Sequence, residues 1–552
     1  MLGDGKAGSL LAGRAGGWLI AAVALLCALA LAVASLRHTG SLAFPIDDGY
    51  IYSNYVVSAA QGQFFTYNPG ETSGGITGFG WYLLCLVAYV LLAPFHSLLS
   101  GLAPAIVSDN GELAAQAGHL FMAAYIPGAL CLAATGLGTW KLADLALPDM
   151  EGKRISKVAV CWVLGVVAAS DLGLAWGATS GLEVPLSAAL VVWSLYLLLL
   201  DWKRGRPGWS LLLGAALPWA RPDLLAFAGV AFAWLVLRLL FTRDRRERSK
   251  AGLFAISYLL ACGAGAGLLS LTYLLGWGRL LPSSFYAKVG GLRLFQGFGS
   301  AVEELLLAGR ILPFVVAGLA LLGGLSWFVR SASRDAQSET RWTALLLLMS
   351  FSGFIIALML IQPWFGQEDR YILPVHPCAI VLVGMLVWFF VRAIPLERLL
   401  GRRLVLPLLS TGIVVLVVLV NYVWATRNHV VYVRNITDAH VAPARWIARN
   451  TPPDALVASE PIGAVRLFSE RRTFDVVGLT SPAALGTYGP WETMSASMRA
   501  AGADYLLIYP AWFEDGQPEW AVEKMRFPVA DNRIAGEDLI AVYELRWDAA
   551  TP

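Results

Sequence analysis

Charge is what this chain of 552 residues has least of. Lys, Arg, Asp and Glu make up 14% of it, against 57% hydrophobic residues. A soluble globular chain carries about 25% charged residues, so the composition argues against an ordinary water-soluble fold. The 41 basic and 38 acidic residues leave a net charge of only +3, so no nucleic-acid partner is expected. Cysteine is scarce too. Cys27, Cys85, Cys131, Cys161, Cys262 and Cys378 lie in or beside apolar stretches without a C-x-x-C. They read as small buried hydrophobes rather than a disulfide framework. The six His show no i,i+4 pair and no H-E-x-x-H, so a His-built metal site is not expected. There is no P-loop and no G-x-G-x-x-G between a strand and a helix, which argues against a soluble nucleotide substrate. No repeat of fixed period is evident.

Long apolar runs are abundant. A bilayer crossing needs about 20 apolar residues. Candidate spans are 17–36, 114–140, 158–176, 183–201, 208–220, 224–241, 251–276, 309–329, 342–362, 372–391 and 404–425. Another run, 79–95, is apolar but short. Basic clusters (Lys153/Arg154/Lys157, Lys203/Arg204/Arg206, Arg243 to Lys250, Arg330/Arg334/Arg341 and Arg392 to Arg403) follow every second span. Cytoplasmic loops hold the excess of Lys and Arg. These clusters share the cytoplasm with Lys6 and Arg14 only if 79–95 does not cross. It is therefore read as a juxtamembrane or re-entrant helix in the first external loop. The expectation is a polytopic α-helical membrane protein with 11 spans, the first uncleaved, the N-terminus inside and the C-terminus outside.

Two parts follow: a membrane domain over 1–425, with its first external loop at 37–113, and an external domain over 426–552. The second is polar. Short β-rich runs at 455–459, 473–477, 505–509 and 539–545 alternate with helix-like stretches near 438–450 and 491–501, which suggests a small α/β fold.

The external side collects the chemistry. Asp47 and Asp48 stand in F-P-I-D-D-G-Y-I-Y-S-N-Y, just after the first span. Ionisable groups at a membrane are costly unless paired or functional. Read as extended or turn backbone, this segment points the two carboxylates different ways, so one is the reactive group. W-G-A-T-S-G-L-E ends on Glu183, A-R-P-D holds Arg221 and Asp223, the loop 277–308 holds Lys288, and Q-E-D-R-Y holds Asp369, Arg370 and Tyr371. A carboxylate can act as a general base. Arg and Lys suit a phosphate leaving group. Arg221 can instead pair with Asp223, and Glu183 can serve the N-terminus of the span it opens. N-P-G-E at 68–71 reads as a turn-rich loop. Asp47 and Asp48 with Glu368 and Asp369 offer oxygen ligands for a divalent cation, but the expectation is that no metal or other cofactor is required.

D-D-G-Y-I-Y-S-N-Y, N-P-G-E, S-G-L-E-V-P-L, A-R-P-D-L-L, L-L-P-S-S-F-Y-A-K and D-R-Y-I-L-P, in that order, resemble the integral-membrane GT-C glycosyltransferases. The branch they resemble most contains the terminal arabinofuranosyltransferases. The tail V-A-S-E-P-I-G-A-V-R-L-F-S-E-R-R-T-F-D-V-V-G-L is similar to the periplasmic domain of that branch, so the resemblance covers about 40–550. It implies a bacterial inner-membrane enzyme with a periplasmic C-terminal domain. It also implies a polyprenyl-phosphate sugar donor, a cell-envelope glycan or glycolipid acceptor, and one inverting displacement. Asp47 would be the base, with Asp48 next to it. Lys288, Arg370 and Tyr371 would lie at the donor phosphate. Glu183, Arg221, Asp223 and Asp369 would lie near the substrates. The chain departs from the pattern with Gly49 where Ala is usual and Pro-Ser-Ser where Asn-Thr is common. The alternative is a multi-span transporter or flippase of a lipid-linked sugar; such proteins often show internal repeats, and none is evident.

Overall fold

The structure, a computed structural model, describes residues 4–103, 114–148, 154–289, 339–361, 367–393, 405–513 and 516–550. The expected span 309–329 lies outside them. The helices are α1 (Asp4–Thr39), α2 (Asp48–Ala60), α3 (Phe79–Leu92), α4 (His96–Ser100), α5 (Ala117–Ala146), α6 (Arg154–Ala169) and α7 (Leu172–Thr179). They continue as α8 (Val184–Arg204), α9 (Trp209–Ala220), α10 (Leu224–Phe241), α11 (Arg245–Trp277), α12 (Ser283–Val289), α13 (Glu339–Leu348) and α14 (Phe354–Ile361). The last are α15 (His376–Ala393), α16 (Val405–Ile436), α17 (Ala442–Asn450), α18 (Ile462–Ser469) and α19 (Trp491–Ala501).

Among the described residues, eight helical stretches are long and apolar enough to cross a bilayer, and nine if α6 and α7, bent by 45°, count as one. The bend falls at Ser170-Asp171, where the Asp171 carboxylate accepts from the Leu174 N–H at 2.9 Å and caps α7. One of the eight is 79–100, and hydrogen bonds tie both of its ends to the stretch that follows α1. At its start, the Gly78 N–H donates to the Tyr52 hydroxyl at 2.8 Å. Just past its end, the Leu102 carbonyl accepts from the Leu42 N–H at 2.9 Å. Leu42 lies just past the end of α1 and Tyr52 on the next helix, α2, so both ends of the segment are tied to the stretch that follows α1. Leu83, Leu84, Val87, Val90, Leu91, Phe95 and Leu98 remain exposed along it, a face suited to lying in the outer leaflet.

The short helix α9 does join the two sides. The Ser210 N–H reaches Asp201 near the C-terminal end of α8 at 2.9 Å, and Arg221 lies 3.7 Å from Glu183 at the other end. Twelve helical residues measure about 18 Å, shorter than the roughly 30 Å apolar core of a bilayer.

The external domain holds one five-stranded sheet in the order β2-β1-β3-β5-β4. β1 (Leu456–Ser459) runs parallel to β2 (Arg472–Asp475) and β3 (Tyr505–Ile508). β5 (Leu539–Leu545) runs antiparallel to β3 and β4 (Ala521–Pro528). β4 and α18 were not expected from sequence. The polar boundary read at 425/426 falls inside α16, which continues unbroken to Ile436. Polarity marks where the chain leaves the membrane, not where the helix ends.

The two parts are clasped. The Asn68 side chain bonds Thr473 in both directions, to its carbonyl at 2.8 Å and from its N–H at 3.0 Å. Ser73 donates to the Thr480 carbonyl at 2.6 Å, and Tyr67 to the Ile462 carbonyl at 2.8 Å. N-P-G-E is thus a strap onto β2.

Candidate active site

The D-D-G-Y segment starts a helix rather than an extended run. Asp47 is the N-cap of α2 and Asp48 its first residue. Neighbours on a helix are about 100° apart, so the carboxylates still diverge. Asp47 turns to the external domain. Its oxygens accept from the Gly463 N–H at 2.7 Å and the Ala464 N–H at 3.0 Å, at the start of α18. His440 Nδ1 lies 3.1 Å from the same carboxylate. A carboxylate only accepts, so this nitrogen carries a proton; Nε2 lies 2.9 Å from the Tyr509 hydroxyl. Asp48 turns the other way. Its Oδ2 lies 2.8 Å from Arg370 Nη2, and its side chain keeps 37% exposure. The first turn of α2 favours that negative charge.

Arg370 itself is 6% exposed, and among the described residues its Nη1 has no hydrogen-bond partner. Glu368 and Asp369, just before it, have φ of 56° and 52°. Two successive side-chain-bearing residues in the left-handed region are strained, and the clamp on either side holds them. The Tyr432 hydroxyl donates to Glu368. On the other side, Arg221 reaches the Arg370 carbonyl at 3.4 Å. Arg221 forks onto Asp223 at 3.0 Å and 2.5 Å and stacks over Tyr371 at 4.5 Å. Its sequence reading as the partner of Asp223 holds, and it also positions Arg370. Glu183 accepts from the Tyr52 hydroxyl at 2.9 Å and makes no side-chain cap on α8.

Asp48, Arg370, Tyr371, Arg221, Asp223, Glu183 and Tyr52 therefore form one connected network at the external end of the bundle. Asp369 adjoins it through the backbone. Lys288 is on α12, which docks beside it through the Ser283 N–H to the Gly74 carbonyl at 2.9 Å; the Lys288 side chain lies outside the described set. Glycine permits this packing. A Cβ on Gly49 would stand 2.4 Å from the Ser180 carbonyl oxygen, so the D-D-G turn can lie against S-G-L-E only without a side chain there.

Among the described residues no group of three or more His, Cys, Asp or Glu is arranged to hold a metal ion. Asp47 and Glu368 face separate partners, so the four acids considered as cation ligands do not converge.

Sequence reasoning missed Tyr52, His440, Tyr432 and Glu460. Tyr52 follows Asp48 by four residues, which marks it once the segment is read as helix. Glu460 follows β1 and leads into α18. Burial, then Asp47, Asp475 and Asp48, push its carboxyl up to about 8.

A family profile described as a domain of unknown function (DUF8728) matches residues 432–546. No curated protein sequence matches the chain. The chain is similar in structure to the apo oligosaccharyltransferase of Archaeoglobus fulgidus, with a TM-score of 0.53 and 13% identity over 89% of this chain and 69% of that one. It is similar also to ArnT of Cupriavidus metallidurans bound to undecaprenyl phosphate, with a TM-score of 0.51 and 15% identity over 97% of this chain and 99% of that one. At such identities the likeness is one of fold: the chain shares with these proteins a polytopic membrane bundle with an external C-terminal α/β domain.

Proposed function

We propose that the protein transfers a sugar from a polyprenyl-phosphate-linked donor to a glycan or glycolipid hydroxyl at the external face of the bacterial inner membrane, with inversion. The observation that carries this reading is the Asp48–Arg370 pair: a half-exposed carboxylate against a buried guanidinium with one terminal nitrogen unpartnered among the described residues. The undecaprenyl phosphate bound by ArnT, a protein of the same fold, supports the donor class.

In this mechanism Asp48 is the base. The acceptor oxygen attacks the anomeric carbon as its proton passes to Asp48. The bond from that carbon to the phosphate oxygen breaks, and polyprenyl phosphate leaves carrying the electron pair. Arg370, with Lys288, stabilises the developing phosphate charge in a site shielded from bulk water. At rest, Arg370 pairs with Asp48 at 2.8 Å. An arriving phosphate competes for the guanidinium and frees the Asp48 carboxylate to meet the acceptor hydroxyl. Asp47 is structural here, because its oxygens are committed to α18 and His440.

The test uses the full chain in nanodiscs with a radiolabelled polyprenyl-phosphate pentose, a hexose analogue in parallel, and a membrane acceptor. Asp48→Asn is expected to lose transfer by roughly 10²–10⁴ with the protein still folded. Unchanged transfer rules out Asp48 as base. Movement of the donor between leaflets without a new glycosidic bond favours the flippase.

A further inference from the structure

The external domain's sheet changes winding direction beside Asp48. β1 pairs with β2 on one side and β3 on the other, all parallel, and the chain runs β1–α18–β2 and then crosses to β3 through α19. In open α/β sheets the crevice at the carboxyl ends of the strands, where strand order reverses, is where ligands bind. Here that point lies between the ends of β1 and β3. Glu460 is the first residue past β1, and Tyr509 the first past β3.

Hydrogen bonds tie this end of the sheet to the Asp47-Asp48 turn. Three residues after Glu460, the Gly463 N–H donates to Asp47 at 2.7 Å, and Asp48 is next in sequence. Tyr509 is joined to the same Asp47 through His440. Among the described residues no cation pairs with Glu460. The charges that act on it, Asp47, Asp475 and Asp48, are all negative. Tyr488 is close enough to interact with it electrostatically, and as a residue it is 48% exposed. Trp512 stands 6.2 Å from Tyr488, between it and Tyr509. An exposed aromatic ring beside an uncompensated carboxyl suits a sugar: the C–H face packs on the ring while a hydroxyl bonds the acid.

We infer that Glu460, with Tyr488 and Trp512, forms the acceptor subsite, so that the external domain presents the hydroxyl of an uncharged sugar to Asp48. This rests on the glycosyl-transfer reading and adds the acceptor's class to it. The surrounding acids repel a phosphorylated or carboxylated acceptor end, whereas a neutral polyol meets a hydrogen-bonding acid and an apolar platform. Because the Glu460 carboxyl is pushed up to about 8, it can donate to the sugar near neutral pH.

The test compares wild type, Glu460→Ala, Glu460→Gln and Tyr488→Ala as full chains in nanodiscs. A neutral alkyl diglycoside and its 6-phosphate serve as acceptor probes, and the shift in Tm given by undecaprenyl phosphate reports the donor side. Glu460→Ala and Tyr488→Ala are expected to raise KM for the neutral glycoside about tenfold, the worth of one hydrogen bond or ring contact, while the undecaprenyl phosphate shift keeps its wild-type size. Glu460→Gln is expected to fall between wild type and Ala at pH 7, and to keep its acceptor KM above pH 8 where the wild type loses affinity. The 6-phosphate is expected to be a poor acceptor. A wild-type KM in both Ala variants overturns the subsite, as does an equal loss of the lipid-phosphate shift, which would mark a structural role. Equal use of the phosphorylated glycoside overturns the neutral-acceptor claim. A wild type whose Tm does not respond to undecaprenyl phosphate, and which transfers nothing, defeats the underlying reading instead.

Discussion

Asp47 accepts three hydrogen bonds from the external domain, and a change of side chain has to replace each or leave it unmade. Asparagine keeps one accepting oxygen and turns an amide towards a second donor. A buried N–H left unsatisfied costs about 1–3 kcal/mol. The exposed Arg472–Glu71 pair across the same junction is worth about 0–1 kcal/mol, so Asp47 dominates it. Asp47→Asn is therefore expected to lower the first thermal transition and expose the domain junction to limited proteolysis. Asp48→Asn is expected to leave both near wild type. Equal shifts in the two would contradict the division of roles. Glu460 predicts a pH effect. Its carboxyl is held near 8 in the fold and near 4.5 without it. Below 4.5 it is neutral in both states. Between 4.5 and 8 the unfolded chain releases a proton that the fold retains, so its contribution to stability falls with rising pH and is gone above 8. Asp475, pushed up to about 6, acts in the same direction at lower pH. Melting Glu460→Gln beside wild type isolates the first: the wild type should lose stability relative to the variant from pH 5 to pH 8, and parallel curves would refute the burial of this acid.

At the scale of elements, α18 carries the junction. A Cβ on Gly463 would lie 2.3 Å from the Asp47 carbonyl oxygen, which is backbone and cannot swing aside. Gly463→Ala is expected to push α18 off Asp47, lowering the first thermal transition and the transfer rate together; an unchanged melt would show that the contact is slack. This helix shows where the sequence was legible and where it was not. Spans could be read because the bilayer imposes a length and the basic loops impose a side. β1, β3 and β5 could be read because their residues are apolar and branched. β4 could not: its Glu523, Lys524 and Arg526 are the charges of an edge strand, and they erase the apolar signal. Eight residues after Pro461 gave α18 too little periodicity to stand out. The acids at 47, 48, 183, 223 and 369 and the cations at 221 and 370 were legible as a one-sided set. Which aspartate faces the reaction was not, because Asp47's partners lie more than 390 residues away.

The whole molecule gathers a polar network at one end of the helical bundle and joins it to the external domain through Asp47. A lipid-borne phosphate is the ligand the account expects there. The most direct measurement is an experimental structure of the full chain in a nanodisc with undecaprenyl phosphate. The account predicts the phosphate within hydrogen-bonding distance of Arg370 Nη1, beside Asp48 and the α12 helix that carries Lys288. A phosphate seated at the cytoplasmic basic clusters, or on the external domain away from Asp48, would contradict it.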